Sequence, residues 1–181
     1  PGIALLHNPR RLQAAAVNLA AHAAAAEIGV LLRADAHCLY PPGFVHDCVA
    51  ALVARDAASV VVPLRTEGRG GLQRAIAAAQ NSRFGNGGSA HRIGVTDRYV
   101  EHGHHAAFDR TAFLQLGGYD ETFSHNEDAE FDVRLTRAGG RIWMAPCGVR
   151  YFPRSSLWQL ARQYRRHGAG RARTIRLHRM R

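Results

Sequence analysis

The chain has no lysine: all 24 of its basic residues are arginine, a bias that reads as GC-rich coding and carries no functional argument. Its cysteines are three, Cys38, Cys48 and Cys147, odd in number and without a C-x-x-C pair. That excludes a disulfide framework and a structural zinc knuckle and points to a reducing compartment. No signal-peptide pattern is present. Nor is there an apolar run of spanning length, since the alanine-rich stretch Ala14–Leu32 is broken by Asn18, His22 and Glu27. Acid is missing from the last segment, "ARQYRRHGAGRARTIRLHRMR", which holds eight arginines. Such a run reads as a solvated or disordered tail, suited to meet phosphates or an anionic membrane face. The chain opens on Pro1 and not on methionine, so it reads as a piece of something longer.

What is present fits one soluble α/β domain. A length of 181 residues, 46% hydrophobic and 21% charged, is enough for a real core. "GIALLHNP" predicts a short buried strand ending in an Asn-Pro turn, and Arg10–Glu27 a helix rich in alanine and leucine. "IGVLLRAD" predicts a buried parallel-type strand, 44–55 a helix, "SVVVPL" the next strand and "LQRAIAAAQNSRF" another helix. "GNGGSA" reads as a loop. Strands alternating with helices in this way imply a mixed, mostly parallel sheet flanked by helices. Further on, "DRTAFLQLGGYDETF" predicts a short helix closed by glycines and "SHNEDAEFDVRLTRAGG" a capped helix. "RIWMAP" and "GVRYFP" predict short strands, and "SSLWQLARQYRRHG" an amphipathic helix starting at Ser155 or Ser156.

Three features carry possible chemistry. Asp35 and His37 stand where "IGVLLRAD" runs out, and ligands of such sheets sit beyond the carboxyl ends of strands. Asp35 is separated from the next helix by Pro41 and Pro42, which argues against its being a cap. "HNEDAEFDVRL" carries Glu127, Asp128, Glu130 and Asp132. Ser124 and Glu127 have capping-box spacing, and Glu130 and Arg134 are an i, i+4 pair on a solvated face. Asp128 and Asp132 remain, beside the apolar stripe Phe131–Leu135–Ala138, where a general base can face a cleft. "VEHGHHAAFDR" sets His102, His104 and His105 together. Strand alternation places His102 and His104 on one face and His105 on the other, so the three do not share one ion.

The stretches "RADAH", "NSRFGNGG", "VEHGHHAAFDR", "LGGYDETFSHNEDAEFDVRL", "GGRIWMAP" and "RQYRRHGAGRARTIRLHRMR", in this order, resemble the inverting family 2 glycosyltransferases of GT-A fold. Within that family they are most similar to the succinoglycan-biosynthesis β-1,3-glucosyltransferase group of bacterial exopolysaccharide synthesis. The resemblance implies a partial GT-A (Rossmann-like) nucleotide-sugar transferase domain. Its core would be 1–154, divided into a donor-side half, 1–97, and an acceptor-side half, 98–154, followed by a basic amphipathic helix and tail, 155–181.

It also assigns roles. "DAH" occupies the place of the D-x-D metal motif, making Asp35 and His37 metal ligands. The histidine departs from the commonest pattern and favours Mn²⁺ over Mg²⁺. "NED" matches the x-E-D motif, making Asp128 the catalytic base with Glu127 beside it. "QYRRH" resembles Q-x-x-R-W, placing Gln163 and Arg166 on the donor diphosphate with His104, and leaving His167 where processive members have tryptophan. His102, Glu127, His167, Gly117 and Gly118 would line the acceptor side of the cleft.

The donor implied is UDP-glucose and the acceptor a saccharide or lipid-linked oligosaccharide, with no role for nucleic acid. The implied site of action is the cytoplasmic face of the bacterial inner membrane, the arginine tail meeting anionic lipid. The family's opening β-α-β unit is missing, so this piece alone is expected to bind nucleotide sugar weakly and transfer little. Two other classes compete. One is a metal hydrolase built on His102, His104, His105 and Asp109; the other is a basic nucleic-acid-binding module, suggested by a pI near 10.9.

Overall fold

A computed structural model of the chain describes residues 2–82, 84–85 and 96–180. Most of "GNGGSA" lies outside them, beyond Gly85. The centre is β3 (Ser59–Val62), four consecutive buried residues of the apolar run "SVVV". Val60 and Val62 face one hydrophobic cluster, with Phe44, Cys48, Leu52 and Trp143. Val61 faces the other, with Phe108, Phe113, Tyr119, Phe131 and Leu135. This period of two gives β3 a core on each side.

Around it stand β1 (Val30–Leu32), β5 (Arg98–Val100), β6 (His104–Asp109) and β7 (Ile142–Met144), in the order β1-β6-β3-β7-β5. A second sheet orders β2 (Cys38–Leu39), β8 (Val149–Tyr151) and β4 (Leu64–Thr66) as β2-β8-β4. The helices are α1 (Gln13–Ala23), α2 (Phe44–Ala54), α3 (Gly71–Asn81), α4 (Arg110–Gln115), α5 (Glu127–Arg137) and α6 (Leu157–Leu177). The chain is α/β with mixed sheets flanked by helices.

Several expectations are corrected. Only β3–β7 and β4–β8 pair in parallel among the described residues; β6 runs antiparallel to both β1 and β3. Strand–helix–strand order implies a mostly parallel sheet, but β6, from the second half, inserts antiparallel between β1 and β3. β1 is therefore a short, half-buried edge strand and not a buried parallel one. Residues 2–7 form no strand, and Ile3 and Leu5 are fully exposed. The arginine-rich segment is not a loose tail, since α6 continues through it to Leu177. Cys48 and Cys147 pack in the core with sulfurs 3.7 Å apart, and none of the three cysteines is in a disulfide.

Helix α5 meets the sheet through a buried polar contact inside the aromatic cluster. Asp132 is 1% exposed and accepts from His102 Nδ1 and from His105 Nε2, each at 2.7 Å. His105 Nδ1 is 2.6 Å from the Tyr119 hydroxyl. His102 and His105 thus converge on one carboxylate, against the alternation expected. The reason is local: β6 starts only at His104, and Gly103 lets the backbone bend against Val61 and Met144. A Cβ at Gly103 would sit 2.5 Å from Val61 Cγ2. The capping box is not formed either. Asn126, at φ 70°, is the N-cap of α5, and its side chain makes no cap bond. Glu130 pairs with Arg134 at 2.7 Å, but its carboxylate is buried rather than on a solvated face.

A carboxylate without water has only its partners to compensate its charge. Replacing Asp132 by Asn should therefore cost on the order of 3 kcal/mol in urea denaturation. Burial would lower the His102 pKa, but the hydrogen bond to Asp132 and the charges of Asp128 and Asp132 win and raise it. Its contribution is then full below about pH 6.5 and fades as pH rises through the raised folded value. The urea midpoint of the wild type should fall over that window, and His102→Gln should flatten the fall. An unchanged slope in the variant would contradict the assignment.

Candidate active site

The β1–β2 turn, the start of β6, the N-terminus of α5 and the first turns of α6 enclose a cleft of about 490 Å³. Asp35, His37, His104, Glu127, Asp128, Gln163, Arg166 and His167 all line it, with Arg33 between the two acidic groups. These residues span most of the chain in sequence, and the cleft is where they meet.

One wall is a tight turn. Cys38 N–H donates to the Asp35 carbonyl at 3.1 Å, which brings the side chains at i, i+2 and i+3 together. The donor atoms of Asp35, His37 and Cys38 lie within 4.8 Å of one another. His37 is exposed and meets the Tyr151 ring edge-on at 5.4 Å. Oxygen, nitrogen and sulfur donors together suit a divalent transition metal better than Mg²⁺. No spacing rule in the sequence marks a thiol directly after D-x-H, and Cys38 also packs in the core cluster with Phe44 and Cys48.

Arg33 supports this wall, donating from Nε to Asp35 Oδ1 at 3.2 Å and from Nη2 to Oδ2 at 3.3 Å. Burial alone would raise the Asp35 pKa, but Arg33, His104 and His37 outweigh it and hold the carboxyl below its usual range. Burial and the Arg33 charge press His104 the other way, down to about 4, so its imidazole is neutral at pH 7. Its Nε2 lies 3.7 Å from Asp35 Oδ2.

The first turn of α5 also lines the cleft. Burial would raise Asp128, yet His102, His105 and Arg33 overcome it and hold its pKa at about 2. Glu127 moves up instead, through burial and the Asp128 charge. Adjacent carboxyls thus sit in opposite electrostatic environments, a pattern found where acid and base roles are divided. Above them, Gln163, Arg166 and His167 project from α6, and the His167 ring meets His125 edge-on at 5.7 Å.

Three expected cleft residues are elsewhere. His102 is turned to Asp132, in the contact that holds α5. Gly117 and Gly118 close α4 in left-handed conformations, at φ 77° and 67°, and a Cβ at Gly118 would strike Asn18 Oδ1 at 2.3 Å. They are structural, as the carbonyls of Leu116 and Gly118 receive Arg134. The alternative hydrolase constellation is not assembled either. Asp132 takes His102 and His105, while Asp109 Oδ1 accepts from Ala112 N–H at 2.7 Å as the cap of α4. The only potential metal cluster among the described residues is that of Asp35, His37 and Cys38.

Comparison with known proteins shows the family. Residues 31–181 match the description of glycosyl transferase family group 2. The succinoglycan biosynthesis protein ExoA of Rhizobium meliloti (strain 1021) is 48% identical over 180 residues, which is 99% of this chain and 54% of that protein. The chain spans about half the length of that relative. The match takes in the metal-type turn, the acidic helix and the arginine-bearing α6, and the chain belongs to glycosyl transferase family group 2.

Proposed function

We propose that this domain transfers a glycosyl group, with inversion, from a nucleotide-sugar diphosphate to a hydroxyl of a saccharide or lipid-linked acceptor in exopolysaccharide synthesis. The observation that carries the reading is that the Asp35–His37 turn and the Asp128 carboxylate share one cleft, roofed by Gln163 and Arg166. The family resemblance and the relative's role in succinoglycan biosynthesis support a UDP-sugar donor, with glucose the sugar.

In this reading the acceptor oxygen attacks the anomeric carbon from the Asp128 side as the bond from that carbon to the phosphate oxygen breaks. The acceptor proton passes to the Asp128 carboxylate, and the electron pair leaves with the nucleoside diphosphate. Because its cationic surroundings keep Asp128 at about 2, it is a weak base. It gains the proton only as the new bond acidifies the hydroxyl, so proton transfer and attack are concerted. Arg166 and Gln163 meet the diphosphate by hydrogen bond and charge. Neutral His104 donates a hydrogen bond to the same group. Asp35 and His37, with Cys38, would hold a divalent cation, Mn²⁺ in preference to Mg²⁺. Such a cation supplies positive charge to the leaving diphosphate.

We further propose that α6 rests on an anionic membrane surface at the cytoplasmic face. No helix among the described residues is long and apolar enough to cross a membrane. Helix α6 instead exposes Leu157, Trp158 and Tyr164 beside its arginines, the composition of an interfacial helix. Each arginine near the surface adds about 1 kcal/mol of attraction.

Two outcomes are expected. In the full-length protein with Mn²⁺ present, Asp128→Asn should reduce glycosyl transfer by roughly a hundredfold or more while leaving donor binding nearly unchanged. Transfer undiminished by that substitution would remove Asp128 from the base role. The chain should co-sediment with vesicles containing anionic lipid, less so at high salt, and not with zwitterionic ones; equal binding to both would contradict the membrane assignment.

A further inference from the structure

The arginine-rich half of α6 carries one row of residues at intervals of four that does not behave like a solvated tail. Arg162 and Arg166 open the row and line the cleft. Gly170, Thr174 and His178 continue it and lie against α5. A Cβ at Gly170 would sit 2.5 Å from the His125 carbonyl oxygen and 2.8 Å from Asn126 Cβ, so only glycine lets the two backbones approach. Thr174 is the one buried residue of α6 among the described residues, 3% exposed. Its hydroxyl accepts from Asn126 Nδ2 at 2.9 Å and donates to the Gly170 carbonyl at 3.2 Å. A turn later His178 Nε2 lies 3.0 Å from Glu130 Oε1, and Arg137 Nη2 donates to the His178 carbonyl at 2.7 Å.

The contact falls on a sensitive place. Asn126 has a left-handed backbone, φ 70°, two residues before Asp128. Residues other than glycine enter that region sparsely, asparagine most readily, and stay there where the surroundings determine it. Asn126 gives no cap bond to its own helix; its amide is spent on Thr174. The same hydroxyl thus joins this turn to the helix that carries Arg162 and Arg166 into the cleft.

We infer that Gly170 and Thr174 are positioning residues, a latch on α6 that holds the Asn126 turn and sets the Asp128 carboxylate in fixed relation to the cleft arginines. The inference rests on the reading of Asp128 as the base. It gives the distal arginine-rich helix a role in the chemistry that its composition does not suggest.

The test compares Thr174→Val, Thr174→Ser and Asn126→Gly with the wild type and Asp128→Asn in the full-length protein. Valine keeps the shape and removes the hydroxyl; serine keeps the hydroxyl; glycine keeps the left-handed turn and removes the amide. Thr174→Val and Asn126→Gly should each lower kcat roughly tenfold to a hundredfold with donor KM within about twofold, as a misplaced catalytic group does. Thr174→Ser should stay near the wild type. Wild-type turnover in Thr174→Val, or an equal loss in Thr174→Ser, would overturn the latch. Asn126→Gly decides the matter in the same way if the valine variant does not fold. Amide exchange at Glu127–Ala129 separates the latch from the base assignment. If Asp128→Asn proves fully active, faster exchange in Thr174→Val restored in Thr174→Ser still supports the latch, and unchanged exchange refutes it.

Discussion

The buried Asp132 carboxylate is the contact on which the arrangement turns. It joins α5 to the sheet through His102 and His105, and from His105 the hydrogen bonds run on to Tyr119 at 2.6 Å and from Tyr119 to Arg33 at 3.4 Å. Arg33 in turn grips Asp35. One chain of polar side chains therefore spans the aromatic core from the acidic helix to the metal-type turn. A polar network inside a core is costly unless every member is satisfied, and rigid when it is. The chain ties the turn that carries Asp35 to the helix that carries Asp128, 93 residues away in sequence. The cationic members also keep both carboxyls ionised, so charge and geometry come from one source.

The second constraint is α6. Twenty-one residues with a single buried side chain make a poor packing helix, and apolar burial alone would not fix its register. Its contacts with α5 are the close approach at Gly170, the Thr174 hydroxyl and the His178–Glu130 pair. The helix lies against α5, presents Gln163 and Arg166 to the cleft, and still exposes a face of arginines and aromatics to solvent. Site and surface are two sides of one element.

Much of the site was legible in the sequence because its motifs are local. D-A-H and N-E-D lie at element boundaries and Q-Y-R-R-H within α6, and the family resemblance carried by these short stretches points to Asp35, His37, Asp128, Gln163 and Arg166, which line one cleft. What was not legible depends on pairing across distance. That β6 divides β1 from β3 cannot be read from alternating strands and helices, so the sheet looked more parallel than it is. The histidine triplet misled for a related reason: Gly103 breaks the alternation that was assumed to run through it. The start of α6 is legible as an amphipathic helix, but its distal, arginine-rich part reads as a tail because charge composition says nothing about a single buried threonine. The resemblance places Gly117 and Gly118 in the cleft, whereas they close α4 at positive φ, which the sequence signals only as a helix-ending glycine pair.

The central claim is that one metal-binding turn and one carboxylate helix meet in a single cleft. Titrating the labelled protein with Mn²⁺ and following paramagnetic broadening of its amide signals tests this directly. The account predicts a single saturable site, with broadening strongest at residues 35–38 and extending to 104, 127–128 and 163–166. Broadening centred on 102–105 while the 35–38 turn stays sharp, or spread over the surface without saturation, would contradict it.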